Sequence, residues 1–368
     1  MRGEIGTRRL VREAVARLAS HAPLPPLERQ AEGVGLHPER IVKLDRNENP
    51  YVPSLRVQDA LAACDRYHLY PDPEGHAARA RLAAYTEMPL ERILLGAGID
   101  ELLDLLYLLT IDPGDEIVIT PPTYAPQKGR AELFGAQVVE APRRADFGLD
   151  VEAIERAVGP RTKLITLVSP NNPTGNLASH EQLVRLLRLG PLVVLDESSV
   201  EFAPRSALPL AREFDNLVVL RSFDSWAGLA GLNIGYGVFP SELMPFLWKV
   251  KSPSSVGAAA LVAVEATFDD LASVRSTVVR LRVERGRLFR KLRKLNLLQP
   301  LPSGGNFLLC RVLRGEAREV RARLADLGIM VLGWEEGTGL ESYLRISVGR
   351  PEDTDTLVKA LISIAERL

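Results

Sequence analysis

From residue 42 onward, short apolar runs alternate with longer stretches whose apolar positions follow a helical period. Four of these runs are rich in valine, isoleucine and leucine, at 116–120, 163–168, 192–195 and 217–220. Apolar runs of this kind, separated by helices, are typical of a mostly parallel sheet that is covered by helices on both faces. The pattern therefore predicts a large α/β domain.

The pattern changes after about residue 253, where helical stretches become longer and strands less regular. Helical and strand-like segments follow one another at 257–268, 274–295, 306–312, 316–327, 329–332, 343–348 and 352–367. Before residue 47, an amphipathic helix over 7–20 precedes a proline-rich break. We therefore expect an N-terminal arm, residues 1–46, a large domain, residues 47–252, and a small C-terminal α+β domain, residues 253–368.

Composition and charge exclude several classes of protein. The 368 residues carry 46 basic and 47 acidic side chains, so the basic excess that nucleic-acid binding requires is missing. The richest apolar stretch, 102–111, is too short to cross a membrane, and no apolar signal core opens the chain. Two distant cysteines and five scattered histidines give no metal-ligand spacing. We expect a cytoplasmic protein with no metal, no membrane partner and no nucleic-acid partner.

Polar residues follow several of the predicted strands. In an open parallel sheet, ligands bind beyond the carboxyl ends of the strands. The residues expected at that edge are Asp100, Tyr124, Asn172, Asp196 and Ser222. Several polar groups that converge on one crevice indicate a cofactor or ligand site.

A series of short motifs makes the chain recognisable from about residue 47 to its end. In order they read NENP (47–50), YPDPEG (70–75), GAGIDE (96–101), PTY (122–124), SPNNPTG (169–175), VLDE (194–197), SFDSWAGLAGL (222–232), NFL (306–308) and YLRIS (343–347). The chain resembles the fold-type I pyridoxal-phosphate (PLP) aminotransferases of class I/II, and is most similar to the histidinol-phosphate aminotransferase family. The resemblance implies a large domain on a mostly parallel sheet of the seven-stranded type, a smaller α+β domain, PLP as cofactor, and a homodimer.

The resemblance also implies roles for individual residues. Asp196 matches the acid that pairs with the pyridine nitrogen, and Tyr124 matches the aromatic residue that stacks on the ring. Asn172 matches the amide that binds the ring hydroxyl, and Arg345 matches the guanidinium that clamps the substrate carboxylate. Tyr70 matches a tyrosine that reaches the cofactor phosphate of the neighbouring subunit.

The same resemblance places the cofactor phosphate at a helix N-terminus. The backbone N–H groups of Ile99 and Asp100 would point at it. Ser222 is a further cofactor-binding position in the same family pattern.

The chain departs from the family pattern where the cofactor is held. The family lysine that forms the Schiff base falls on Ser225, and a hydroxyl cannot form an imine. The family serine before that lysine is replaced by Asp224, and the phosphate-binding arginine by Asn233. A family tyrosine is replaced by Ser199, and the hydroxyl residue before Asp100 in many relatives by Ile99.

These departures favour a protein that has lost PLP Schiff-base transamination. It would act as a pseudoenzyme or as a repurposed small-molecule-binding or catalytic protein, alone as a homodimer or in a heterodimer with an active relative. The retained Arg345 suggests a small carboxylate ligand. Two alternatives stay open: an active aminotransferase on histidinol phosphate or another amino acid, and an enzyme that uses the cavity without covalently held PLP, with Asp224 or Asp196 as acid and base.

Overall fold

Helices and strands alternate through most of the chain in the computed structural model, which describes residues 7–18 and 25–368. The α-helices are α1 (Glu13–Arg17), α2 (Leu27–Gly33), α3 (Leu55–Ala63), α4 (His76–Thr86), α5 (Gly98–Thr110), α6 (Pro126–Leu133), α7 (Val151–Ala157), α8 (His180–Leu187), α9 (Met244–Val250), α10 (Ala258–Asp269), α11 (Leu271–Arg293), α12 (Ala317–Asp326) and α13 (Pro351–Ala365). The strands are β1 (Val42–Leu44), β2 (Ile93–Gly96), β3 (Glu116–Ile119), β4 (Gln137–Glu140), β5 (Thr162–Val168), β6 (Leu192–Asp196), β7 (Leu217–Ser222), β8 (Gly235–Val238), β9 (Leu298–Pro300), β10 (Phe307–Val312), β11 (Ile329–Gly333) and β12 (Tyr343–Ser347). Short 3₁₀ helices lie at Thr7–Leu10, Pro38–Arg40, Leu90–Arg92, Val200–Phe202, Leu208–Arg212 and Ala230–Leu232.

The larger sheet has seven strands in the order β2-β8-β7-β6-β5-β3-β4, counted over the described residues. Strands β3 to β7 pair in parallel, and only β8 runs antiparallel to its neighbours β2 and β7. Strands β6 and β7 are runs of buried valine and leucine, because helices cover both faces of the sheet. The prediction of a mostly parallel seven-stranded sheet is confirmed.

A second sheet of five strands, again within the described ranges, has the order β1-β11-β12-β10-β9. Strands β9 to β12 are antiparallel neighbours, whereas β1 pairs in parallel with β11. Helices α12 and α13 contribute Val320, Leu324 and Leu361 to the core beneath this sheet. The smaller domain is therefore α+β, as the sequence predicts.

The three boundaries drawn from the sequence stay predictions. Strand β1, from the arm, completes the sheet of the smaller domain. Helix α10 and the first half of α11 contribute Leu261, Val264 and Leu281 to the core of the larger sheet. The helix predicted over 7–20 is a 3₁₀ turn followed by the short α1, and residues 1–6 and 19–24, which include part of the proline-rich break, lie outside the described residues.

The parallel strands bring their carboxyl ends to one edge of the larger sheet. Val168 at the end of β5 is opposite Asp196 of β6, which is opposite Leu220 of β7. Helix α5 begins at the same edge, because Gly98 at its first position adopts a left-handed backbone with φ +76°. Leu102, Leu103 and Leu106 on the inner face of α5 are buried and hold the helix against the sheet.

Candidate functional site

A cavity of about 250 Å³ lies at this edge of the sheet. Its lining consists of Arg46, Asn47, Ile99, Asp100, Tyr124, Asn172, Asp196, Ser198, Ser199, Ser222, Asp224, Ser225 and Asn233. Ten of the twelve positions that the sequence predicted for the site therefore lie together. The other two, Arg345 and Tyr70, do not line it.

Asp196 forms one wall of the cavity at the last position of β6. Its side chain is buried, and its Oδ1 accepts a hydrogen bond of 2.8 Å from the backbone N–H of Ser198. Burial raises the pKa of the Asp196 carboxyl to about 6, with a smaller contribution from the charge of Asp100. The Asp196 carboxyl is thus mostly ionised at pH 7 and becomes protonated as the pH falls through about 6.

Arg345 lies just outside the cavity and connects it to the smaller domain. From β12, its Nη1 donates to Oδ1 of Asn172 (2.7 Å) and its Nη2 donates to the carbonyl oxygen of Asp45 (2.6 Å). Its Nε is buried without a hydrogen-bond partner among the described residues. Burial lowers the pKa of Arg345 to about 10, so the guanidinium stays charged at neutral pH. Arg345 is therefore a charged, buried side chain that connects the cavity-lining Asn172 to Asp45.

The loop after β7 supplies Asp224 and Ser225. The backbone N–H of Asp224 donates to Ser222 Oγ (3.0 Å), and the indole N–H of Trp226 donates to the Ser222 carbonyl oxygen (2.7 Å). The Trp226 ring is buried against Phe223, with ring centroids 5.4 Å apart. This packing fixes the loop, so that the side chains of Asp224 and Ser225 reach the cavity.

One oxygen of Asp224 and the hydroxyl of Ser225 have no hydrogen-bond partner among the described residues. Asp224 Oδ1 is buried without a hydrogen-bond partner in the described structure. Burial raises the pKa of the Asp224 carboxyl to about 6; a hydrogen bond with the Ser222 side chain lowers it, and the charges of Asp100 and Asp196 raise it further. Ser225 is 7 % exposed and makes no hydrogen bond with its side chain to any described residue.

The N-terminus of α5 forms another part of the cavity wall. Ile99 and Asp100 lie there in the first turn, as predicted. Asn233, which has a left-handed backbone with φ +45°, donates from Nδ2 to the carbonyl oxygen of Ala97 (3.2 Å). The backbone N–H of Ala97 donates to Oε2 of Glu101 (2.5 Å). One N–H group at this helix start is therefore already bound by a carboxylate of the chain itself.

Lysine is missing from the cavity lining in the described part of the chain. Lys251 is buried nearby, but its Nζ lies 4.0 Å from Glu101 and hydrogen-bonds Ser255 Oγ. Burial lowers the pKa of Lys251. Lys128 pairs with Glu140 on the surface (2.7 Å).

Three lining residues were missed by sequence reasoning. Asn47 belongs to the NENP motif, which marked the resemblance but was given no role, and its φ of +59° is an unusual backbone that this motif could have signalled. Arg46 precedes it, and Ser198 follows the Asp196-Glu197 pair. Tyr70 is 91 % exposed and lies away from the cavity of its own chain, so its expected role toward a neighbouring subunit stays a prediction.

Comparison with known proteins defines the class. The model of the family "Aminotransferase class I and II" matches residues 39–361, and the chain belongs to this family. Among solved structures, histidinol-phosphate aminotransferase from Sinorhizobium meliloti in complex with pyridoxal-5'-phosphate superposes with a TM-score of 0.86 at 27 % identity, covering 96 % of this chain and 97 % of that one. Aspartate aminotransferase from Thermus thermophilus with maleate shares the fold at a TM-score of 0.82 and 22 % identity, over 97 % of this chain and 99 % of that one.

Within this class, the similar curated relatives are histidinol-phosphate aminotransferases. The protein of that name from Roseiflexus castenholzii (strain DSM 13941 / HLO8) is 45 % identical over 97 % of this chain and 98 % of its own length. The chloroplastic protein of Nicotiana plumbaginifolia is 43 % identical over 95 % of this chain and 86 % of its own length. The chain is thus a member of the histidinol-phosphate-aminotransferase-like group, whose cofactor is PLP.

The residues of the cavity fit only part of this cofactor. Asp196, Tyr124 and Asn172 are brought together as the family pattern requires. The rest of the lining does not match the cofactor. Ser225 offers a hydroxyl where an imine needs an amine, and Asp100 and Asp224 add carboxylates to a cavity that would hold a phosphate. The described side chains therefore do not fit covalently held PLP.

Proposed function

We propose that this aminotransferase-like protein no longer carries out PLP Schiff-base transamination, and that its cavity is retained for binding or transforming a small molecule without a tethered cofactor. The observation that carries the proposal is the lining of the cavity, in which Ser225 occupies the loop after β7 and no described lysine is present. Ser225 is buried and lines the cavity, so a ligand in the cavity would contact it.

The chemistry of a hydroxyl supports the proposal. Imine formation needs a primary amine as nucleophile, and the subsequent proton transfers need a positioned base. Loss of a general base alone typically lowers a rate by about 10²–10⁴. Asp224 can exchange a proton near neutral pH, but a carboxylate cannot form an imine.

The charges of the cavity argue in the same direction. A phosphate that approaches the N-terminus of α5 meets Asp100 and Asp224. Two unit charges about 4 Å apart interact by about 4 kcal/mol at an effective dielectric constant of 20. The favourable field of a helix N-terminus, up to about 2 kcal/mol, would not offset such a repulsion.

A second candidate is an active aminotransferase that acts on histidinol phosphate. The observation in its favour is the 45 % identity with a histidinol-phosphate aminotransferase over nearly the whole chain. Its requirement is an amine that holds PLP. The nearest described candidate, Lys251, is engaged with Glu101 and Ser255 instead.

The partner and ligand of the chain belong to the same proposal. The exposed Tyr70 fits a homodimer in which it approaches the neighbouring cavity, or a heterodimer with an active relative. The charged guanidinium of Arg345, which lies next to the cavity, is the group that would bind a small carboxylate.

The test is borohydride trapping. The purified chain is incubated with micromolar PLP, reduced with borohydride, digested and mapped by mass spectrometry, beside a histidinol-phosphate aminotransferase relative as positive control. We expect a PLP-modified lysine peptide from the relative and none from this chain, with no turnover of histidinol phosphate and 2-oxoglutarate. A stoichiometric PLP adduct on a lysine of this chain, together with turnover, would establish the second candidate instead.

A further inference from the structure

The cavity lining carries three carboxylates, those of Asp100, Asp196 and Asp224, and one basic side chain among the described residues. Building on the proposed loss of PLP chemistry, we propose that it binds a small primary ammonium ligand that carries no phosphate group. The amine would lie between Asp196, Asp224 and Ser225, in the space where the family pattern places an imine.

The first argument is the balance of charge. Asp100, Asp196 and Asp224 all line the cavity, while Arg46 is the one basic residue in the described lining. Arg130 lies 3.7 Å from Asp100 but forms its closer ion pair with Asp104, away from the cavity. Two of the three carboxylates therefore have no described basic side chain as an ion-pair partner.

The second argument is hydrogen bonding. Asp224 Oδ1 is buried and unpartnered, and the neighbouring Ser225 side chain, 7 % exposed, has no described hydrogen-bond partner and lines the cavity. A buried acceptor without a partner is unfavourable, because it has lost its hydrogen bonds to water. An ammonium group offers three donors and no acceptor, so it satisfies these atoms, whereas a phosphate offers acceptors only.

The third argument concerns the kind of cation. The described residues hold no group of three or more histidine, cysteine, aspartate or glutamate side chains placed to bind a metal ion. The cavity, at about 250 Å³, is smaller than the roughly 300–1,000 Å³ that ligand pockets usually span, so it suits a small molecule. Tyr124 adds an aromatic ring to the lining. These features favour a small organic amine over a metal ion.

The charge state of the carboxylates supports an ammonium ligand at neutral pH. Burial raises the pKa values of Asp196 and Asp224 to about 6 each, so both are mostly ionised at pH 7.5 and mostly neutral at pH 5. The other groups near them are Asp100, Arg46, Tyr124 and Glu197. Glu197 is paired with Arg221 (2.8 Å), and burial raises the pKa of Tyr124 to about 12, so Tyr124 stays neutral. Amine binding is therefore expected to weaken as the pH falls through 6.

The experiment compares amines that differ only in a phosphate. Full-length protein is titrated calorimetrically at pH 7.5 with histidinol and histidinol phosphate, and with ethanolamine and O-phosphoethanolamine. We expect at least one unphosphorylated amine to bind at least about tenfold more tightly than its phosphate ester. Tighter binding of both phosphate esters, or no binding of either free amine at millimolar concentration, would overturn the inference.

Two single substitutions test whether the amine binds in this cavity. Asp224→Asn removes one charge and is expected to weaken amine binding by about 10- to 100-fold. The control is Asp326→Asn, which removes one charge from the exposed end of α12 and should leave the affinity unchanged. Circular dichroism and thermal unfolding verify that both variants fold. Equal affinity of the Asp224→Asn variant and the unaltered chain would also refute the inference.

The experiments distinguish a failure of the proposed loss of PLP chemistry from a failure of the proposed amine binding. Borohydride trapping on the same preparation reports on the proposed function, because an adduct there shows that PLP is still tethered. If no adduct forms but the phosphate esters bind more tightly, the inference about the ligand alone is wrong.

Discussion

At the scale of single residues, the loop after β7 combines buried aromatic packing with two polar side chains that line the cavity. Trp226 and Phe223 remain buried, and the backbone of Phe223 donates to the carbonyl oxygen of Ile234 (3.1 Å). Ser225 and Asp224 project from this fixed loop into the cavity. Substitutions at these two positions should therefore alter the site without unfolding the loop.

The triple variant Ser225→Lys, Asp224→Ser, Asn233→Arg tests this directly. It supplies an amine, removes a negative charge and adds a positive charge at the family positions, so we expect a PLP adduct at residue 225 after borohydride reduction. Ser225→Lys alone should bind PLP at least about tenfold more weakly than the triple variant, because unit-charge interactions of about 4 kcal/mol oppose it. Absorbance titration and peptide mapping measure both effects.

A folded triple variant without any adduct would contradict this account of the loop. The control Asp326→Asn keeps Ser225 and should give no adduct.

Glu201, which lies outside the cavity, makes the stability of the fold depend on pH. Both of its carboxyl oxygens are buried without hydrogen-bond partners among the residues described, and burial raises its pKa to about 7. The folded state therefore holds this proton more tightly than the unfolded state. The resulting stabilisation is present in full below about pH 4.5 and is lost as the pH rises through 7.

We expect Glu201→Gln to be more stable than the unaltered chain at pH 8, by on the order of 3 kcal/mol, and similar to it at pH 4.5. The nearby Arg221 is already paired with Glu197 (2.8 Å), so loss of the Glu201 charge does not leave it alone. Urea unfolding at several pH values measures the difference. A constant difference between the two proteins across this range would disprove the raised pKa.

At the scale of secondary-structure elements, the site lies at the carboxyl ends of the parallel strands of the larger sheet. The polar residues after β5, β6 and β7 could be grouped from the sequence, because parallel strands in register end at one edge. Asp196 and Ser222 accordingly meet in the cavity.

Other parts of the site could not be derived in this way. Arg345 belongs to the smaller domain, and its bonds to Asn172 and to Asp45 depend on how two sheets pack. The pairing of β1 with β11 joins a three-residue strand to a strand near the other end of the chain. Such contacts depend on tertiary packing, which periodicity along the chain does not encode.

The start of α5 gives a prediction about an element. Gly98 has φ +76°, and a Cβ atom there would lie 2.4 Å from Asn233 Oδ1. Gly98→Ala combines an unfavourable backbone with a steric clash, so we expect a loss of unfolding free energy of about 2–3 kcal/mol. Urea unfolding at constant pH measures it.

Gly35 provides the matched control for this substitution. Its φ is +68°, but a Cβ there would have no neighbour within 4 Å. Gly35→Ala should therefore cost only about 1 kcal/mol, the part that comes from the backbone. Equal losses in the two variants would show that the contact between α5 and Asn233 carries no strain.

At the scale of the whole molecule, the segment between α3 and α4 exposes a group of large apolar side chains. Tyr67, Leu69 and Tyr70 are 57 %, 56 % and 91 % exposed in the single chain. Exposed apolar residues that cluster in this way commonly mark a protein–protein interface. Since the family pattern assigns Tyr70 to the site of a neighbouring subunit, we expect this surface to be covered by a second copy of the chain.

Light scattering tests this expectation, with twice the mass of one chain as the expected result at tens of micromolar. Leu69→Asp places a charge in the apolar cluster and should shift the protein toward the monomer, because burying an unpaired carboxylate is costly. Leu327→Asp is the matched control, since Leu327 is 53 % exposed at the end of α12 in the smaller domain and should leave the mass unchanged. If the unaltered chain were a monomer, Tyr70 would have no neighbouring cavity to reach, and the cavity described above would be complete within one chain.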